Sequence, residues 1–153
     1  MEIKVLSRIQ AENLIPDKKC AIISITDHES DIVKFKYNNN IKGVLRLHFL
    51  DEDDLSYYKH RKDDTYRLFS DNDAIKILDF VEEIKDKIDI LYIHCYAGLS
   101  RSPAVAAALC DIYNIDSEIN WFFNYSPNIF VYRTLLNTYN FRNRVGDKND
   151  NNI

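Results

Sequence analysis

Glycine and proline are scarce in this chain, three of each among 153 residues, so few positions can turn through positive φ or be locked by a pyrrolidine ring. Cysteine is equally scarce. Three residues, Cys20, Cys95 and Cys110, are not the dense even set of a disulfide-stapled domain, and a reducing cytoplasm is the expectation. No apolar run approaches the roughly 20 residues of a membrane span, and the N-terminus lacks a basic-then-apolar signal pattern. Positive charge is short as well: 20 Lys and Arg against 24 Asp and Glu give a net charge of −4. That balance argues against nucleic-acid or membrane partners, which need a broad basic face. An acidic chain that handles an anion must build its positive potential locally. The four His and three Cys show no metal-ligand spacing, so neither metal nor other cofactor is expected.

What is present suffices for one core. A hydrophobic content of 46% over this length fits a single domain, read as 1–145, followed by a polar tail, 146–153, expected to be disordered. Ile3 to Leu6, Cys20 to Ile25, Val44 to Leu50 and Ile88 to Ile93 read as strands, from alternation or from short β-branched runs. Asp71 to Lys87 is the clearest helix, with Ala74, Ile77, Leu78, Val81 and Ile84 on one face. Ser102 to Tyr113 is a small-residue helix with Pro103 in its first turn. Asp116 and Ser126-Pro127 are expected to open two more helices, and Arg8 to Leu14 is a short helical connection. Strands mostly alternating with helices predict an α/β domain with a mainly parallel sheet of about four strands. Ligands of such sheets bind outside the carboxyl ends of the strands.

One nonapeptide stands apart, His94-Cys-Tyr-Ala-Gly-Leu-Ser-Arg-Ser102. An apolar strand leads in and a helix leads out. Strand, tight loop and helix form the geometry that turns backbone N–H groups onto an anion and aims a helix N-terminus at it. A thiol at Cys95 would meet donors and a dipole that favour its negative form. Arg101 would offer a planar fork suited to phosphate, whereas a cation with no such task opposes the dipole at a helix start. Tyr96, Ala97, Gly98, Leu99, Ser100 and Arg101 are therefore the candidate phosphate-binding residues, and Gly98 supplies the angles so tight a loop requires. Cys20 and Cys110 lack such surroundings and read as core residues.

At these residues the chain resembles the protein tyrosine phosphatase superfamily, whose signature is His-Cys, five residues, then Arg and Ser or Thr. The Ala-Gly-x-Ser-Arg-Ser-Pro wording is closest to its small dual-specificity-like branch, and the resemblance extends over about Val44 through Tyr113. It implies a cytoplasmic phosphomonoester hydrolase in which Cys95 forms a cysteinyl-phosphate and Arg101 binds the transferring phosphoryl group. It gives His94 a structural task, hydrogen-bonding backbone beside the nucleophile, and has Ser102 steady the departing thiolate. A general acid should come from an aspartate on an upstream loop. Asp51, first after a strand, is the choice, with Asp53, Asp54 and Asp63 as alternatives.

The loop interior carries no Lys or His, which disfavours a phosphoinositide and leaves a phosphorylated protein, phosphotyrosine above phosphoserine or phosphothreonine, as the substrate partner. Tyr57, Tyr58 and the Lys59 to Lys62 cluster could touch such a peptide, although exposed basic residues usually form a solvated face. Two other classes remain open: a phosphopeptide-binding pseudophosphatase, and a rhodanese-like sulfurtransferase built on the same cysteine-loop plan. The oligomeric state is not legible from the sequence.

Overall fold

The computed structural model describes residues 1–36, 38–52 and 65–150. Four strands, β1 (Glu2–Leu6), β2 (Cys20–Thr26), β3 (Ile41–His48) and β4 (Ile90–His94), form one sheet in the order β1-β4-β2-β3. Every neighbouring pair is parallel. Burial explains the order. β2 and β4 are buried at every residue and lie in the centre, whereas β1 and β3 alternate towards solvent and take the edges.

The two faces carry different loads. Ala21, Ile23, Ile25, Leu91 and Ile93 point into the larger core, and Cys20, Ile22, Ile90 and Tyr92 into a smaller one. The larger core packs under α2 (Asp71–Ile84), α3 (Arg101–Tyr113) and α5 (Ile129–Asp150), with α4 (Trp121–Asn124) beside α3. Leu6, Leu14, Phe35 and Ile41 pack against the smaller, and α1 (Arg8–Glu12) follows β1 directly. In α3, Ala104, Ala106 and Ala108 are fully buried, and such short side chains let the helix lie close to the sheet.

Helix starts follow local polar chemistry, not always at the residues expected. Ser70 caps α2 in a capping box with Asp73, and Arg67 grips the buried Asp73 carboxylate through two bonds of 2.6 and 2.9 Å. Asn120, rather than Asp116, caps α4. The last helix opens at Asn128, whose side chain accepts from the Val131 N–H, rather than at Ser126-Pro127. A serine and a proline read as a start signal, but the amide one residue later is what reaches the orphan N–H. α5 runs to Asp150. A helix once nucleated adds a hydrogen bond per residue, and polar composition alone does not stop it. No described helix is long and apolar enough to cross a membrane.

Because all four strands run in one direction, their carboxyl ends share one edge of the sheet. Leu6 is level with His94, Ser24 with His94, and Thr26 with His48. The chain just beyond these ends, at Ser7–Arg8, Asp27, Phe49–Asp51 and Cys95–Ser100, meets along that edge.

Candidate active site

Cys95 follows β4 directly and is 3% exposed, so its sulfur lies at the floor of the 95–101 loop. The Gly98 N–H donates to the sulfur at 3.2 Å, and the Ser102 hydroxyl lies 3.1 Å from it. Gly98 has φ +73°, and an added Cβ would stand 2.9 Å from the Ser7 nitrogen and 3.0 Å from the Leu6 carbonyl group. Glycine is thus required twice, once by the backbone and once by the end of β1 packed beneath the loop.

The loop's carbonyls are taken from outside. Tyr96 O accepts from the Arg8 N–H, Leu99 O from Ser126, and Ser100 O from both Asn128 and Ala104. A trans peptide plane points its N–H opposite to its C=O. The N–H groups of Ala97, Ser100 and Arg101 are therefore directed away from those partners. Ser100 stands at the N-cap of α3, yet its side chain makes no capping bond. Its hydroxyl donates instead to Asp51 at 2.8 Å. The first turn of α3 is left with its own N–H groups directed at the loop, an arrangement that suits an anion.

Arg101 opens α3 and is 6% exposed. Its Nη1 donates to Asp27 Oδ1 at 2.6 Å and to the Phe49 carbonyl at 2.9 Å. Asp27 follows β2 and Phe49 follows β3, so two neighbouring strand ends hold one guanidinium.

His94 is wholly buried. Its Nδ1 lies 3.1 Å from the Cys95 carbonyl and its Nε2 2.6 Å from the Ser24 hydroxyl. A carbonyl only accepts, so the proton sits on Nδ1 and Nε2 takes the Ser24 hydroxyl hydrogen. Burial first, then the Arg8, Arg101 and Arg46 charges, push its pKa down and keep the ring neutral, against the raising effect of the Cys95 hydrogen bond. Phe35 meets the ring edge-on at 5.9 Å. The ring touches the Cys95 backbone, not a solvent path along which a proton could leave.

Asp51 reaches the rim of the loop. Its Oδ1 accepts from Ser100 Oγ and, at 2.9 Å, from Asn128 Nδ2. Phe69 packs on Phe49 at 4.9 Å between ring centres, and the Leu50 N–H donates to the Arg67 carbonyl, which steadies the segment after β3 that carries Asp51. Asp53, Asp54, Asp63, Tyr57, Tyr58 and the Lys59–Lys62 cluster lie outside the described residues. Cys20 and Cys110 are buried in the two cores, with thiols pushed up by that burial.

Sequence reasoning missed four residues here: Ser24, Asp27, Phe49 through its carbonyl, and Asn128. Asp27 stands first after β2, but the strand read from the sequence ends at Ile25, so the signal used for Asp51 did not fall on it. Asn128 stands one residue past the Ser126-Pro127 start signal, and nothing local marks its amide as reaching Asp51. Ser24 pairs with His94 only through strand register. No sequence-family model matches the chain, and no curated protein matches it, so the residues of the site carry the functional reading.

Proposed function

We propose that the protein is a phosphomonoester hydrolase that works through a cysteinyl-phosphate, most simply a protein-tyrosine or dual-specificity phosphatase. The observation that carries this is the Cys95 sulfur at the floor of a loop whose Gly98 N–H and Ser102 hydroxyl address it, with the buried guanidinium of Arg101 at the loop's end and Asp51 bound to its Ser100. A buried structural thiol has no use for such donors, which weighs against a non-catalytic binding module.

In the first step the sulfur, as thiolate, attacks phosphorus. The S–P bond forms as the bond to the leaving oxygen breaks, and Asp51 supplies the proton that oxygen takes. Loop N–H groups and Arg101 hold the three equatorial oxygens, more strongly in the trigonal-bipyramidal arrangement than in the ground state. In the second step water attacks the cysteinyl-phosphate, Asp51 receives its proton, and the S–P bond breaks. Ser102 donates to the departing sulfur, and inorganic phosphate leaves. Phosphotyrosine is the favoured substrate because the sulfur is recessed, and a phosphoryl group on a long rigid side chain reaches it best. A reducing compartment such as the cytoplasm suits a free thiol nucleophile.

Hydrolysis of an aryl phosphate tests this reading. Wild type should turn over, and Cys95→Ser should not, while still binding inorganic phosphate through the loop and Arg101. Arg101→Lys should lose most activity, since an ammonium cannot present two parallel donors. Cys95→Ser activity near wild type, or thiosulfate sulfurtransferase activity in place of phosphate release, would refute it. Initial rates on matched phosphotyrosine and phosphoserine peptides measure the preference.

A further inference from the structure

We infer that Asp27 is a positioning residue for Arg101, setting which edge of the guanidinium faces the anion loop; the inference rests on the loop being a phosphate cradle. A guanidinium carries five N–H donors, two of them on Nη1. Here Asp27 Oδ1 and the Phe49 carbonyl take both Nη1 hydrogens, at 2.6 and 2.9 Å. Among the described residues no other group bonds the Arg101 side chain. The Nε–H and the adjacent Nη2–H therefore remain along the opposite edge, as two parallel donors matched to two phosphate oxygens.

The alternative edge, Nη1 with Nη2, is unavailable while Asp27 holds it. A lone backbone carbonyl would leave the planar group able to rotate about its last bonds. The carboxylate at the end of β2 gives it a second, charged anchor on a different strand. The arginine side chain is 7% exposed and the aspartate side chain 60%, so Asp27 lies on the solvent side and closes the arginine in. Arg8, Asp31 and Tyr96 line the same small cleft, but Arg8 is committed to Asp31 at 2.5 Å and Glu12 at 2.8 Å. Arg8 therefore does not compete for Asp27.

A double-mutant cycle on the full chain tests the inference, read by inorganic phosphate affinity in calorimetry and by kcat and KM on an aryl phosphate. Misplacing the fork should weaken phosphate binding and lower kcat/KM, each by about 10- to 100-fold in Asp27→Ala. Asp27→Asn, which keeps an acceptor, should recover much of both. In an Arg101→Lys background, Asp27→Ala should change phosphate affinity less than about two-fold, because Asp27 acts only through the fork. Thermal melting checks that each variant folds; should Asp27→Ala fail to, Asp27→Asn carries the same cycle with a smaller expected loss. Tighter phosphate binding in Asp27→Ala would overturn the inference, since Asp27 would then be a competitor for the arginine. Losses that add independently of Arg101, or no loss at all, would overturn it as well. The phosphate measurement needs no turnover. A wild type that binds phosphate but hydrolyses nothing would sink the hydrolase reading and leave this cycle still decisive.

Discussion

Asp51 bonds the Cys95 loop at Ser100 and His94 bonds it at the Cys95 carbonyl, and their surroundings suit them to different work. Asp51 is on the rim, exposed, and held by the loop's own Ser100 and by Asn128 from α5. His94 is sealed beneath, with both nitrogens engaged. If Asp51 protonates the leaving group, Asp51→Asn should slow aryl-phosphate hydrolysis by roughly 10²–10⁴-fold. The loss should shrink as the leaving phenol becomes more acidic, and the alkaline limb of the kcat/KM profile should flatten. A series of substituted aryl phosphates measures both. A mild, leaving-group-independent effect at Asp51, with a large one at Asp53, Asp54 or Asp63, would move the acid to that residue without touching the Cys95 chemistry.

Among the elements, β1 has a task beyond closing the sheet. Its last residue and Ser7 lie directly under Gly98, and the Arg8 N–H holds the Tyr96 carbonyl at 3.0 Å. The strand end acts as a floor against which the loop is tightened. Gly98→Ala should cost at least the roughly 1–2 kcal/mol of a left-handed non-glycine residue. A further loss should follow because the Cβ meets backbone, which cannot swing aside. Gly43→Ala meets the Phe80 ring at 3.3 Å, a side chain able to give, and should cost about 1 kcal/mol or less. Urea unfolding of the two variants compares these costs. Aryl-phosphate turnover should fall sharply only in the first.

For the molecule as a whole, His94, wholly buried, and His48, half-buried, tie stability to pH. His94 and His48 both have pKa values pushed below the ordinary 6.5, in each case chiefly by burial. Below about pH 6.5 the unfolded chain takes up protons at these rings that the folded chain does not. Stability should therefore fall as pH drops from 6.5 and level off only below the folded values. Asp31 is shifted the same way relative to its ordinary 3.8, mainly by the Arg8 hydrogen bond, and its share disappears only in far stronger acid. Urea midpoints at pH 7.5, 6.5 and 5.5 should decline for wild type and show a shallower slope in His94→Asn. An unchanged slope would place the pH dependence elsewhere.

The strands and the α2 and α3 helices were legible because alternation, apolar runs and helical spacing are local, and each element buries the face its pattern marks. The nonapeptide was legible for the same reason: a strand, a glycine at φ +73° and a helix start are consecutive, so Cys95, Gly98 and Ser102 are close in the chain as well as in space. Other features depended on distant residues. Ser24 lies 70 positions from His94, Asp27 lies 74 from Arg101, and Asn128 lies 77 from Asp51. Each pair meets because parallel strands bring all their carboxyl ends to one edge and α5 returns to it. No local pattern records that strand order, and a polar residue in a turn looks the same whether it faces water or a guanidinium. The sequence by itself marked Cys95 and the loop that surrounds it. Only the tertiary structure decided which carboxylate holds the arginine and which stands at the rim, because long-range pairing selects partners by geometry, not by neighbours in the chain.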